Sequence, residues 1–418
     1  MKNRLYKFKR YQYPVAILLL LQVLFLNLNC KKDGVVHASL SQNETIPQLI
    51  SNITIDNGKG TAILHYTVPA DPNLYYVKAV YETKKGVQRV VKASYYENQL
   101  VLDGFADTLE HTVELFSVNR AEKASKPIEI KVRPLISPIW EVYNSLKVSP
   151  DFGGINIKAI NDEKADVAIQ LLTRQKGNWA LYSGIYTATD SIDNSIRGLD
   201  TNAIQVAVYV RDKYQNTTDT LFTEIAPLYE ALLDKSKFSR TNLPGEPTYD
   251  FYNQNSKGLT SLWDGKTRGD AWPDVVWTNS NSIEAQHVTI DIGTPTKLSR
   301  MVIFEYSENA TPSSNGLRNY FYGGNLRKFE VWGATEPASD GSFNGWDLLG
   351  SYEVKKPSGL PYGYLTQDDF NAAAAGFNCT FHSGDKKYRY LRINSLQNWL
   401  GTTYMTLVET NVYGDPRN

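Results

Sequence analysis

The 418-residue chain carries 44 lysine or arginine and 44 aspartate or glutamate side chains, so its formal net charge is zero. Beyond residues 1–13 no basic stripe or tail accompanies that balance, which gives no electrostatic grip of the kind nucleic-acid phosphates demand. Two cysteines, Cys30 and Cys379, exclude a disulfide framework, so hydrophobic cores must hold the fold, in roughly two or three domains.

Residues 1–13, MKNRLYKFKRYQY, hold five Lys or Arg and no acid. Pro14 to Leu28 is an apolar run interrupted by Gln22 and Asn27. It is shorter than the roughly 20 residues of a free-standing membrane span and reads as an export signal over residues 1–30. Cys30 follows at once, then Lys31 and Lys32. This arrangement resembles a bacterial lipoprotein signal, which implies a lipidated Cys30 and an exported chain anchored at the outer membrane. Asn27, Leu28 and Asn29 depart from the small residues usual before such a cysteine.

From residue 62 the hydrophobic period is two. TAILHYTVP alternates Ala62, Leu64, Tyr66 and Val68 on one side, and LYYVKAVYET, VVKASYY, NQLVLDG and HTVELFSVNR continue it. Short turn-rich separators predict an antiparallel sandwich over residues 31–134. The pattern returns in GINIKAIN, ADVAIQLLTR and NAIQVAVYVRDKYQNTTD. Phe116, Asn119 and Arg120 correspond to Tyr209, Asp212 and Lys213 at an offset of 93 residues, so a second sandwich is predicted over 135–235. Both resemble fibronectin type III domains and read as spacer or interaction modules. TEIAPLYEALLDKSKF, near residues 223–238, is expected to form a few turns of helix, and TNLPGEPTYD reads as a linker.

The third unit, residues 236–418, holds six of the eight tryptophans. Its predicted strands are HVTIDIG, LSRMVIFEYS, LRKFEVWGAT, WDLLGSYEV, YRYLRINSL and MTLVETNVYG, joined by loops of very different length. SLWDGKTRGDAW, VTIDIGTPTKLSRMVIF, RKFEVWGATE and YRYLRINSLQNWLGTTYMTLVETNVYG resemble the discoidin, or coagulation factor 5/8 type C, family. The resemblance implies a jelly-roll β-sandwich with a galactose-binding-like fold. The mature chain resembles Bacteroidetes surface lipoproteins in which two fibronectin-like domains precede a discoidin-like one. The fold class expected is therefore all-β, with three sandwiches in tandem.

Two glycines and two acids in Ser261–Trp272 allow two readings: a tight turn, or a loop around a calcium-type ion, which takes six to eight oxygens. An adhesion signal at Arg268-Gly269-Asp270 is a chance triplet. The family resemblance implies one structural calcium held by Asp264, by Thr267 or Asp270, and by Glu409. Lys266 and Arg268 could pair with those acids in place of an ion. The resemblance also implies a glycan partner met by loops at one end of the third sandwich. Planar donors and aromatic faces in those loops are Arg318, Tyr320, Tyr322, Tyr362, Tyr364, Asn398 and Trp399.

No HExxH, GxSxG, phosphate loop or dinucleotide-binding glycine motif occurs, and no paired-carboxylate motif. The reading is a non-enzymatic, glycan-binding accessory lipoprotein of polysaccharide capture, in company with surface uptake proteins. The alternative is a structural or protein-interaction component of a surface complex.

Overall fold

A computed structural model describes residues 43–241, 243–247, 258–270, 272–280, 284–381 and 384–417. The export signal and Cys30 lie outside the described residues. The chain is all-β and divides into two compact units, one reaching Trp140 and including Tyr214–Asn216, the other comprising the remainder. No helix among the described residues is long and apolar enough to cross a membrane.

The first sandwich is built from β1 (Ser51–Gly58), β2 (Thr61–Thr67), β3 (Leu74–Lys84), β4 (Val87–Ser94), β5 (Gln99–Asp103), β6 (His111–Asn119) and β7 (Ile128–Val132). Its sheets run β1-β2-β5 and β4-β3-β6-β7. The alternation read from the sequence is borne out in β2, where Ala62, Leu64 and Tyr66 are buried. They meet Val77, Ala79, Leu102, Phe105, Val113 and Leu115 in one core, as period-two side chains on facing sheets must.

A short helix, α1 (Pro138–Asn144), leads into the second sandwich. Its strands are β8 (Lys147–Asp151), β9 (Gly154–Ile160), β10 (Val167–Gln175), β11 (Asn178–Thr187), β12 (Ser191–Arg197), β13 (Ile204–Asp212) and β14 (Leu221–Ile225). They pair as β12-β9-β8 and β11-β10-β13-β14, matching the first sandwich strand for strand.

The offset of 93 residues holds down to single hydrogen bonds. Ser125 Oγ accepts from Ser117 N–H at 3.0 Å, and Thr218 Oγ1 accepts from Val210 N–H at 3.0 Å. Lys59 bridges to Leu135 as Phe152 bridges to Leu228. The glycine after each, Gly60 and Gly153, sits at φ 63° and 60°. Only there can its N–H reach the exiting chain, at Leu135 O (2.9 Å) and Leu228 O (2.7 Å), and glycine takes that backbone conformation without a Cβ penalty.

The third sandwich begins earlier than its sequence boundary. Residues 223–238 do not form the expected α-helix. β15 (Ala231–Leu232) pairs instead with Gly414 and Tyr413, and a single 3₁₀ turn follows at Lys235–Lys237. Pro227 withholds the N–H a helix would need, and Leu228 is engaged in the bridge to Phe152. The remaining strands are β16 (Ser239–Arg240), β17 (Val276–Trp277), β18 (Gln286–Glu305), β19 (Leu326–Ala334), β20 (Asp347–Glu353), β21 (Phe377–Thr380), β22 (Tyr388–Asn398) and β23 (Thr406–Asp415). A helix, α2 (Gln367–Ala374), is capped by Thr366, whose hydroxyl accepts from Asp369 N–H at 3.2 Å.

HVTIDIG and LSRMVIFEYS, read as two strands, are one continuous strand, β18. Its first part pairs with β22 through Gln286–Asp291, and its last part with β23 and β21 through Lys297–Glu305. The register breaks between Asp291 and Thr296, around Gly293 at φ 78°. The strand thus belongs to both layers. Val288, Ile290, Met301 and Ile303 face Phe329, Val331, Leu391, Ile393, Leu407 and Val412 between them.

Candidate functional site

β18 ends, β19 begins, β22 ends and β23 begins at the same end of the third sandwich. The pairs Glu305 with Leu407 and Leu326 with Asn398 fix this. Four loops therefore meet there: Asp264–Val275, Tyr306–Asn325, Lys355–Thr366 and Trp399–Met405. Backbone bonds tie them together. Ser307 N–H donates to Gly269 O at 2.8 Å, Thr406 N–H to Gly324 O at 3.0 Å, and Trp399 N–H to Asn325 O at 3.2 Å. The buried Asn325 amide donates to Tyr306 O at 2.8 Å and to Thr406 Oγ1 at 3.2 Å.

On this framework aromatic rings gather. Trp277 stacks on Tyr404 at 6.2 Å between centroids and 13° between planes. Trp272 meets Trp277 edge-on at 6.3 Å and Tyr306 at 6.2 Å. Tyr306 and Tyr404 are buried and form the floor, while Trp272 is 40% exposed. A second stack joins Tyr322 to Tyr362 at 4.6 Å and 18°. Between the two stacks lies Gly323, at φ 53°. Its N–H donates to the Tyr362 hydroxyl at 3.3 Å. A Cβ placed there would lie 3.6 Å from the Tyr404 hydroxyl and 3.9 Å from Glu308 Oε1. Aromatic faces and convergent polar atoms thus share one patch.

Burial raises the Glu308 carboxyl above its ordinary range, opposed by the Arg318 guanidinium. Burial also pushes the Tyr362 hydroxyl up to about 12, so it stays a neutral donor and acceptor. Arg318 is oriented by the Ser307 hydroxyl at 2.9 Å, the Ser307 carbonyl and Asn309 Oδ1 at 3.2 Å, with its guanidinium 5.8 Å from the Tyr306 ring.

Of the residues expected to meet a glycan, Arg318, Tyr322 and Tyr362 lie on this patch. Tyr362 and Tyr364 are 39% and 53% exposed. Two expectations are corrected. Tyr320 is buried in the core against Phe370 at 5.5 Å, because the loop turns it beneath Gly269. Asn398 is fully buried and closes its own turn: its amide donates to Thr402 Oγ1 at 2.7 Å and to Tyr404 O at 3.0 Å, and it accepts from Leu400 and Thr402 N–H at 3.0 and 2.9 Å. Trp399 is half-buried, edge-on to Phe321 at 5.3 Å, with Arg327 and Lys356 over its ring. Trp272, Trp277, Tyr306, Glu308 and Tyr404 are the residues sequence reasoning missed. The one available signal was WPDVVW, which sets Trp272 at the end of the acidic loop and Trp277 on the short strand that follows it.

The described part of this loop, residues 261–270, turns and is pinned by ion pairs. Arg268 folds back on Asp270 through two bonds of 3.0 and 2.8 Å, which lowers the Asp270 carboxyl and leaves no splayed adhesion triplet. Lys266 pairs with Asp274, its N–H donates to Asp264 Oδ1 at 3.0 Å, and Thr267 is exposed. Glu409 is buried, with Gly265 N–H donating to Oε2, Thr410 N–H to Oε1 at 2.9 Å, and the Lys235 ammonium 3.1 Å from Oε1. Burial raises the Glu409 carboxyl, opposed by Lys235. Among the described residues, no three His, Cys, Asp or Glu side chains gather as a metal shell. With cations of the chain itself on these acids, Asp264, Thr267, Asp270 and Glu409 do not fit a divalent ion.

Family models match three consecutive segments, each described as a domain of unknown function: DUF4959 over residues 47–134, DUF5126 over 135–236 and DUF5000 over 263–414. No curated protein matches the sequence. Among solved structures, a SusE-like protein is 28% identical, with TM-score 0.43, over 66% of this chain and 98% of its own. The family 32 CBM from C. perfringens NanJ, solved with galactose, is 15% identical, with TM-score 0.27, over 44% and 98%. A two-domain fibronectin type III segment from chicken tenascin is 11% identical, with TM-score 0.20, over 42% and 98%.

Proposed function

We propose that the chain is a non-catalytic, glycan-binding accessory protein whose ligand lies across the aromatic patch at one end of the third sandwich. The observation that carries this reading is the convergence at Gly323. Tyr362, Tyr404 and Glu308 gather polar atoms around the buried Gly323, between the Trp272–Trp277 rings and the Tyr322–Tyr362 stack, with Trp272 and Tyr362 the exposed faces. Flat rings with a few fixed polar groups suit a polyol, whose ring faces are apolar and whose edges are hydroxyls. Glycoside hydrolysis needs two working carboxylates across the bond to be cut, and Asp270 and Asp274 are held by Arg268 and Lys266. The first two sandwiches then act as spacers, in company with surface uptake proteins.

A glycan array probed with the purified chain tests the reading. Retention on a glycan class is expected, weakened on the order of tenfold, about 1.4 kcal/mol, by Trp272→Ala. Retention on no glycan would overturn the reading in favour of a protein-interaction role. Equal retention by Trp272→Ala would reject this patch as the site. In the same proposal Cys30 carries a lipid that holds the chain at the outer membrane. Fatty-acid labelling of the expressed chain is expected to vanish in Cys30→Ser, and labelling that persists rejects the anchor.

A further inference from the structure

The resemblance puts a calcium ion beside Glu409, and the structure puts an ammonium there. We infer that Lys235 is the built-in counter-ion of the Glu409 carboxylate, and that the third sandwich pins its loops without a divalent cation. Three observations carry this.

First, the lysine is delivered by a clamped backbone. Ala231–Leu232 pair with β23, the strand that bears Glu409, and Leu233 N–H donates to Val412 O at 2.9 Å. The 3₁₀ turn that starts at Lys235 is capped by Asp234, whose Oδ1 accepts from Ser236 N–H at 3.0 Å and Ser236 Oγ at 2.7 Å. Second, the ammonium is engaged on two sides. It lies 2.6 Å from Asn411 Oδ1 and 3.1 Å from Glu409 Oε1, with the Lys235 side chain 18% exposed and that of Glu409 fully buried. Third, the oxygens beside the ammonium are already engaged by groups of the chain itself. Both carboxylate oxygens of Glu409 accept backbone N–H groups, and Leu262 O accepts from Thr410 Oγ1 at 2.8 Å. Calcium needs six to eight oxygens, and here it would also stand against a fixed positive charge a few ångströms away.

The Lys235 ammonium therefore does what the ion would have done. It neutralises a buried acid and, through Glu409 and Gly265, ties the loop that leads to Trp272 onto the last strand.

Calorimetry on the purified full chain tests this. An ion that binds only the folded state raises its unfolding midpoint. Melting in millimolar calcium and in a chelator is expected to agree within about 1 °C, and calcium titration is expected to give no stoichiometric heat. Lys235→Met is expected to lower the midpoint by several degrees, and Lys235→Arg, which keeps the charge, by less. A chelator-induced fall of several degrees in the unaltered chain would overturn the inference. So would stoichiometric calcium heat, or a Lys235→Met chain that melts with its parent. If the methionine variant fails to fold, the titration of the unaltered chain decides.

Discussion

Arg392→Met is expected to lower the stability of the third sandwich by about 3–5 kcal/mol, the cost of stripping one partner from a buried charge pair. Arg392 is fully buried on β22. Its Nε donates to Thr289 Oγ1 at 2.9 Å, and its Nη1 to Gly341 O at 3.0 Å and Ser342 O at 3.3 Å. The guanidinium lies 4.3 Å from the Trp346 ring and 4.8 Å from that of Phe343, and Nη2 stands 4.0 Å from Glu246 Oε1. Burial already raises the Glu246 carboxyl, with Thr289 and Arg392 opposing the shift. Methionine fills the volume and supplies neither the donors nor the charge, so two carbonyls lose their partner and Glu246 loses its cation. Scanning calorimetry should show a drop on the order of 10 °C in the corresponding transition. Glu246→Gln in the same chain should recover part of it, because the stranded acid is then gone. A variant that melts with the parent would show that the pair contributes nothing.

The second large effect has the opposite sign. Glu305→Gln is expected to stabilise the chain at pH 7 by on the order of 1–3 kcal/mol. Glu305 ends β18 and is buried. One of its oxygens accepts from Leu326 N–H and the other has no partner. Burial pushes its carboxyl well above the ordinary range, only partly offset by the Leu326 bond. With the folded value raised, the unfolded chain releases this proton first. Stability is then greatest below the unfolded carboxyl value, about 4.3, and falls as pH rises toward the folded one. Glutamine keeps the carbonyl that accepts from Leu326 and does not titrate. The gain should therefore be near zero at pH 4 and larger at neutral pH, growing as pH rises toward the folded value. Denaturant unfolding at both pH values measures it, and a difference independent of pH would refute the buried acid as its source.

The tandem sandwiches were legible because their information is local. A period of two over five to eight residues is visible without a partner strand, and Phe116 and Tyr209 already marked the repeat that the Ser125 and Thr218 bonds carry. The third sandwich was legible for the same reason, apart from the kink at Gly293, which reads as a break and is a bend. The site was less legible. Its rings stand at positions 272, 277, 306, 322, 362 and 404, and bonds within and between loops distant in sequence bring them together, among them those of Asn325, Asn398, Ser307 and Gly323. Loops carry no period, so nothing in GLRNYFYGG distinguishes Tyr320, which turns inward, from Tyr322, which stacks at the surface. Glu409 was expected to complete a calcium shell, and the structure sets an ammonium beside it. Its partner is Lys235, far upstream in the segment expected to coil as a helix, and no motif links the two.

β18 has a mechanical consequence. A strand that serves both sheets couples them: neither can slide past or peel from the other without bending or breaking the shared backbone. Softening one face therefore propagates to its opposite, and the third sandwich should melt as a single cooperative body. The loops that leave the strand's far end inherit that stiffness. On the proposed function, rings held in this way would lose little ordering entropy on binding.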